Sequence, residues 1–204
     1  MERRKEIPEV NAGSMADIAF LLLIFFLVTT TIETDVGLNR KLPPSDTTPP
    51  PKISERNILR VSLNQNDELF VEDGVVQLND LKAIATSFLD NGGIPIGDAE
   101  HCTYCLGERN QDSSDNPIKA IISLNSDRKA SYGIYIKVQN ELIAAYNELR
   151  NREAQRRYGM SYEEMEQSYE DPATSLNDKM ILKERIVEVR EMYPLKLIEA
   201  QAQI

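Results

Sequence analysis

The chain has 204 residues, 41% hydrophobic and 27% charged. That is enough for one ordinary domain with an appendage and too polar for a multi-span transporter. A formal charge of −10, from 23 basic and 33 acidic residues, argues against a nucleic-acid partner; a single histidine excludes a two-histidine metal site, and two cysteines exclude a dense disulfide scaffold.

Residues 1–14 set Arg3, Arg4 and Lys5 against Glu2, Glu6 and Glu9 and are neutral overall, so the acid lies almost wholly in the C-terminal portion. The long apolar run is Ile18–Val28, 11 residues. As a helix it would measure ~16 Å, too short for a ~30 Å hydrocarbon core. With Met15-Ala16-Asp17 before it and Thr29-Thr30-Thr31-Ile32 after it, the helix reaches ~27 Å and can span. A signal peptide would end in Ala-x-Ala, whereas this chain continues Thr29-Thr-Thr-Ile-Glu-Thr-Asp35. The expectation is therefore an uncleaved signal-anchor, with a transmembrane helix over 15–34. Arg3, Arg4 and Lys5 place residues 1–14 in the cytoplasm and export the rest, by the positive-inside rule.

Asp17 stands at the start of that span with no basic residue near it in sequence. An aspartate near the bilayer centre costs about 2.5–3.5 kcal/mol, and the apolar residues from Ile18 to Val28 return roughly 3–6 kcal/mol, so the segment inserts with little to spare. Two readings compete. A carboxyl group held among helices away from water can bind and release protons. Alternatively, Asp17 caps the helix in the headgroup region by accepting backbone N–H bonds. At 100° per residue Asp17, Phe20, Leu21, Ile24, Val28 and Thr31 share one stripe, a face for packing on other helices. The threonines can instead bond their own i−4 carbonyls.

Val10-Asn11, then Asp17, then Leu21-Leu-Leu-Ile-Phe-Phe-Leu-Val-Thr29, resembles the signature of the ExbD/TolR family. Leu38-Asn-Arg-Lys-Leu-Pro-Pro44 resembles that family's exit from the membrane, and the likeness runs to about residue 150. Gly13 and Ser14 stand where the family usually has Thr and Pro. The resemblance implies an inner-membrane subunit that forms a homodimer inside a ring of ExbB-like subunits and passes energy to a TonB-like or Tol-type protein spanning the periplasm. Asp17 would carry the proton, Asn11, Leu21, Ile24, Val28 and Thr31 would face partner helices, and protons would be the coupling ion with no other cofactor.

Five prolines between Pro43 and Lys52 make residues 35–56 an extended linker. The folded part is expected over 57–152. Leu59, Val61 and Leu63 alternate as a strand, Asn64–Asp67 turns, Leu69–Val71 is a second strand, and Asp73-Gly74 turns into Val75-Val76. Asn79 or Asp80 caps a helix burying Leu81, Ile84, Ala85 and Phe88. Lys119–Leu124 is the next strand, with Asp127 in the turn after it. Tyr135, Val138, Leu142, Ala145 and Leu149 then mark a long helix after Ser131. Strands with helices on one face make a two-layer α+β domain, as in the ExbD/TolR periplasmic domain.

Residues 91–117 interrupt this domain and contain His101-Cys-Thr-Tyr-Cys105. A Cys102–Cys105 disulfide, a metal site using His101 and both thiolates, a thioredoxin-like redox pair and free thiols are the competing readings. From residue 153 to 204 a charged helical extension is expected, with Ile181, Ile186, Val189, Met192 and Leu195 as a weak apolar stripe between Pro172 and Pro194. No phosphate loop, nucleophile–base pair or repeat appears, so no catalytic residue is assigned. The leading expectation is an ExbD-like motor subunit. A TolR-type subunit, a passively anchored binding module and a tethered thiol oxidoreductase are the alternatives.

Overall fold

The computed structural model describes residues 12–29 and 53–200, which fall in two units, 1–49 and 50–204. Asn11, Thr31 and nearly all of the expected cytoplasmic segment and proline-rich linker lie outside the described residues. In the first unit, α1 spans Ala12–Thr29, 18 residues. That is ~27 Å of helix, a little less than a ~30 Å hydrocarbon core. Among the described residues no helix is long and apolar enough to cross a membrane, and the expected last residues of the span, 30–34, lie outside them.

The second unit is a mixed sheet backed by helices. Period-2 alternation builds β1, Ile58–Leu63: Leu59, Val61 and Leu63 are buried while Arg60 is exposed. Asn64 closes the next turn, its side-chain oxygen accepting the N–H groups of Asn66 and Glu68. β2, Leu69–Val71, pairs antiparallel with β1, and β3, Gly74–Val76, pairs antiparallel with β2. Val71 lies opposite Gly74, so the hairpin loop is Glu72-Asp73, one residue earlier than expected, with Glu72 at φ 50°.

α2, Leu78–Leu89, buries Leu81, Ala85, Phe88 and Leu89. Its cap is Gln77 rather than Asn79 or Asp80, because the Asp80 N–H already closes a turn onto the Gln77 carbonyl. β4 is Ile121–Ser126, two residues later than expected. The Asn116 carbonyl takes the N–H groups of Lys119 and Ala120, which holds those residues in a turn, and the parallel register then runs from Ile58 opposite Ile121 to Leu63 opposite Ser126.

α3, Tyr132–Tyr158, runs through residue 152 without a break and ends at Gly159, φ 69°, whose N–H bonds the Gln155 carbonyl. α4, Tyr162–Glu170, starts with a full capping box between Ser161 and Glu164. α5 is Leu176–Met192, and β5, Leu197–Ala200, pairs parallel with β4. The sheet order is thus β3-β2-β1-β4-β5. The region expected to be wholly helical therefore supplies an edge strand.

One core joins Leu59, Val61, Ile122 and Leu124 of the sheet to α2 and α3, and takes in Met192 and Tyr193. A smaller core lies among Ala154, Tyr162, Met165, Leu182, Ile186 and Val189. Of the expected C-terminal stripe, Ile186, Val189 and Met192 are buried, but Ile181 and Leu195 are exposed and Leu182 takes the inner position.

Candidate functional site

Asp17 lies five residues inside α1, whose first turn holds no acidic residue. The helix begins upstream of it, at Ala12. The cap reading does not fit this placement, because a cap stands outside the helix and Asp17 lies inside it. From Met15 to Phe26 Asp17 is the one polar side chain, and all of these residues are exposed. An α-helix that is apolar all round needs lipid or other helices about it. Leu21 and Ile24 follow Asp17 by four and seven residues and share its side of the helix. Val28 is within α1, though its side chain is outside the description, as are Asn11 and Thr31 altogether.

The insertion at 91–117 is folded onto the C-terminal end of α2. Asn91 is its hub: the side-chain amide donates to the carbonyls of Asn110 (2.8 Å) and Ser114 (2.7 Å) and accepts from the Asn110 N–H (2.9 Å). Gly92, φ 63°, is required, since a Cβ there would sit 2.8 Å from that of Cys105. Asp115 is tied to Arg56 and accepts from Asn57 Nδ2 at 2.9 Å, which anchors the far end of the loop beside β1.

Cys102 and Cys105 are joined as a disulfide, 4% and 2% exposed, in a loop without a helix. A redox pair needs an accessible sulfur at a helix start, and this one has neither. The histidine–dithiolate site does not form either. His101 Nδ1 donates to the Ile94 carbonyl (2.7 Å), and its Nε2 accepts from Arg109 (3.2 Å); that tautomer follows from the partners. Arg109 also donates to the carbonyls of Cys102 and Cys105. A shallow cleft of about 320 Å³ opens beside His101, Tyr104 and Lys119. Asp127 serves its turn, its carboxylate accepting the Lys129 N–H at 2.8 Å.

Sequence reasoning missed the polar cluster beneath the insertion. Asp90, at the end of α2, accepts from both terminal nitrogens of Arg152 (2.6 and 2.8 Å) and from the Tyr193 hydroxyl (2.8 Å). It also takes the Leu106 N–H of the insertion. Burial, followed by the nearby Asp90 charge, pushes the Tyr193 hydroxyl well above the ordinary tyrosine range. Tyr104 donates to the Met192 carbonyl and packs edge-on against Tyr193, and burial pushes its hydroxyl up to about 12. Arg150 donates twice to the Tyr193 carbonyl and lies over the rings of Tyr146 and Tyr162. Glu153, 1% exposed, pairs with Arg152 and Arg156. The signal was present: the stripe Val138, Leu142, Ala145, Leu149 continues at 153 with a carboxylate. Every member of this cluster is engaged within the chain, so its work is to lock α2, the insertion and α3 to the segment after α5.

Compared with known proteins, the model of the family described as biopolymer transport protein ExbD/TolR matches residues 3–151. The matched stretch takes in α1, the strands β1 to β4, α2 and most of α3, and stops short of α4, α5 and β5. No curated protein matches the chain at a significant level.

Proposed function

The chain belongs to the ExbD/TolR family of biopolymer transport proteins, and on that premise we propose that it is the proton-carrying subunit of an inner-membrane complex. In this reading α1 from Met15 onward and the residues to 34 span the membrane as a single anchor, with residues 1–14 in the cytoplasm and the sheet domain in the periplasm. Two copies stand within a ring of ExbB-like subunits, and the work is passed to a TonB-like protein that opens transport across the outer membrane. A TolR-type role in a Tol-like envelope system is the same chemistry with a different recipient. No residue is assigned a catalytic role, and the coupling ion is the proton.

The observation that carries the reading is the place of Asp17, well inside a helix otherwise apolar from Met15 to Phe26. Such a carboxyl group is costly in lipid and is retained where it does work. A proton arriving from the periplasmic side neutralises it, letting the helix shift against its neighbours, and departure to the cytoplasm restores the charge. Each elementary charge crossing 100 mV supplies about 2.3 kcal/mol, enough to bias a packing rearrangement.

Asp17→Asn keeps the shape and hydrogen bonding of the side chain and removes its titration. In cells making the full chain and its ring partners, we expect energised uptake to fall by at least tenfold, with the amount of assembled complex unchanged. Full uptake in that variant would reduce α1 to a passive anchor.

A further inference from the structure

α5 lies outside the residues matched to the family, and its outer face has no role in the function proposed above. Its inner side fills the small core through Leu182, Ile186 and Val189. On its outer side Leu176, Met180 and Val187 are 84%, 72% and 43% exposed. At 100° per residue these three fall within about 40° of one another, a narrow apolar stripe along the helix.

The charges beside the stripe are sorted. Lys179 and Lys183 lie along one edge, and Glu184 and Glu191 along the other. In a chain of net charge −10, a helix with one basic and one acidic edge about an apolar seam is distinctive. Two such helices side by side and parallel place the basic edge of each against the acidic edge of the other; an antiparallel pair would set like charge against like. Around a two-fold axis Lys179 of one copy meets Glu184 of the next, five residues on, which is the spacing that flanking charges take in parallel helix pairs. Lys183 covers the seam with its methylene stem and lines a groove with Glu166 and Glu170 of α4, so its ammonium has carboxylates of its own chain beside it.

We propose that the outer face of α5 is a contact between two copies of this chain, its helices parallel and in register. Three apolar side chains a copy are far fewer than a free-standing dimer needs, which is about 800 Å² of surface from each partner. The contact therefore works between copies already held together, as two anchors in one membrane would hold them, because tethering raises the effective concentration into the millimolar range.

The test uses the full chain in its native membranes. Met180→Cys and Ile181→Cys each put one new thiol on α5, on different sides of the helix, and the two native cysteines are occupied with each other. Maleimide labelling confirms that both new thiols are reachable. Under mild oxidation Met180→Cys, and likewise Val187→Cys, should give at least ten times more covalent dimer than Ile181→Cys. Adding Glu184→Lys to Met180→Cys should cut that yield severalfold, and Lys179→Glu on top should bring it back. Equal yields at 180 and 181, a cross-link from 180 to a different protein, or no recovery with the second charge change would each overturn the proposal. Asp17 is intact throughout and uptake is not read, so the outcome is independent of the Asp17→Asn experiment.

Discussion

Tyr146, on α3, is fully buried in the core that takes in Met192 and Tyr193, and burial pushes its hydroxyl up to about 12. In an unfolded chain a tyrosine ionises near 10. Above that pH the folded chain keeps a proton that the unfolded chain has lost, so stability is complete below pH ~10 and drains away as pH climbs toward 12. Tyr104 and Tyr193 act in the same direction. Tyr146→Phe removes one contributor while keeping the ring over which Arg150 lies. Denaturant midpoints followed from pH 9 to 11.5 should fall less steeply in the variant than in the parent chain, and an unchanged slope would contradict the assignment. Arg152 shows the same logic with charge. Its two bonds to Asp90 are paired and buried on the Asp90 side, and breaking such a pair from one end costs about 3–5 kcal/mol. Arg152→Lys keeps the charge and loses the fork, so it should recover only part of what Arg152→Ala loses in a melting curve.

The elements announce themselves to very different degrees. β1, β2 and α3 are legible because each repeats one period several times, Leu59-Val61-Leu63 at every second residue and Val138-Leu142-Ala145-Leu149 at helical spacing. β5 is not. Four residues, Leu197-Ile-Glu-Ala200, hold two turns of alternation, and only the prior existence of β4's open edge makes them a strand. The insertion is opaque for a related reason: its order comes from Asn91 bonding distant backbone groups, Asp115 pairing with Arg56 and Gly92 fitting against Cys105, and none of those contacts has a period. α4 falls between these extremes. It has nine residues, too few to be stable alone, yet Ser161 and Glu164 spell its first turn. Bonds from the Ser161 N–H and hydroxyl hold the Glu164 carboxyl below the usual carboxylate range. Ser161→Ala should cost about 1 kcal/mol, read as a lower melting midpoint with the helix content of the rest retained. A change too small to measure would mean that packing of Tyr162 and Met165 alone sets where α4 begins.

For the molecule as a whole, the family match ends at residue 151 in the middle of α3, yet the folded unit does not end there. Met192 and Tyr193 belong to the same core as Leu59 and Ile122, Arg150 finds its acceptor and Arg152 one of its partners at Tyr193, and β5 covers the edge of β4. A chain stopped after Gly159 would keep every matched residue and still lose all of these at once. It would leave Arg150 without its acceptor, expose β4 as a bare edge open to pairing with other chains, and empty the core beside Leu149. The shortened sheet domain, residues 53–159, should therefore lack the cooperative thermal transition of residues 53–200 and should aggregate, by calorimetry and light scattering side by side. A sharp transition at the same midpoint in the shorter piece would mean that the segment after α3 merely rests on a domain that folds without it. The physical expectation is the opposite, because a lost buried pairing costs about 3–5 kcal/mol against a reserve of about 5–15 kcal/mol, and the emptied core and the bared strand edge add to that loss.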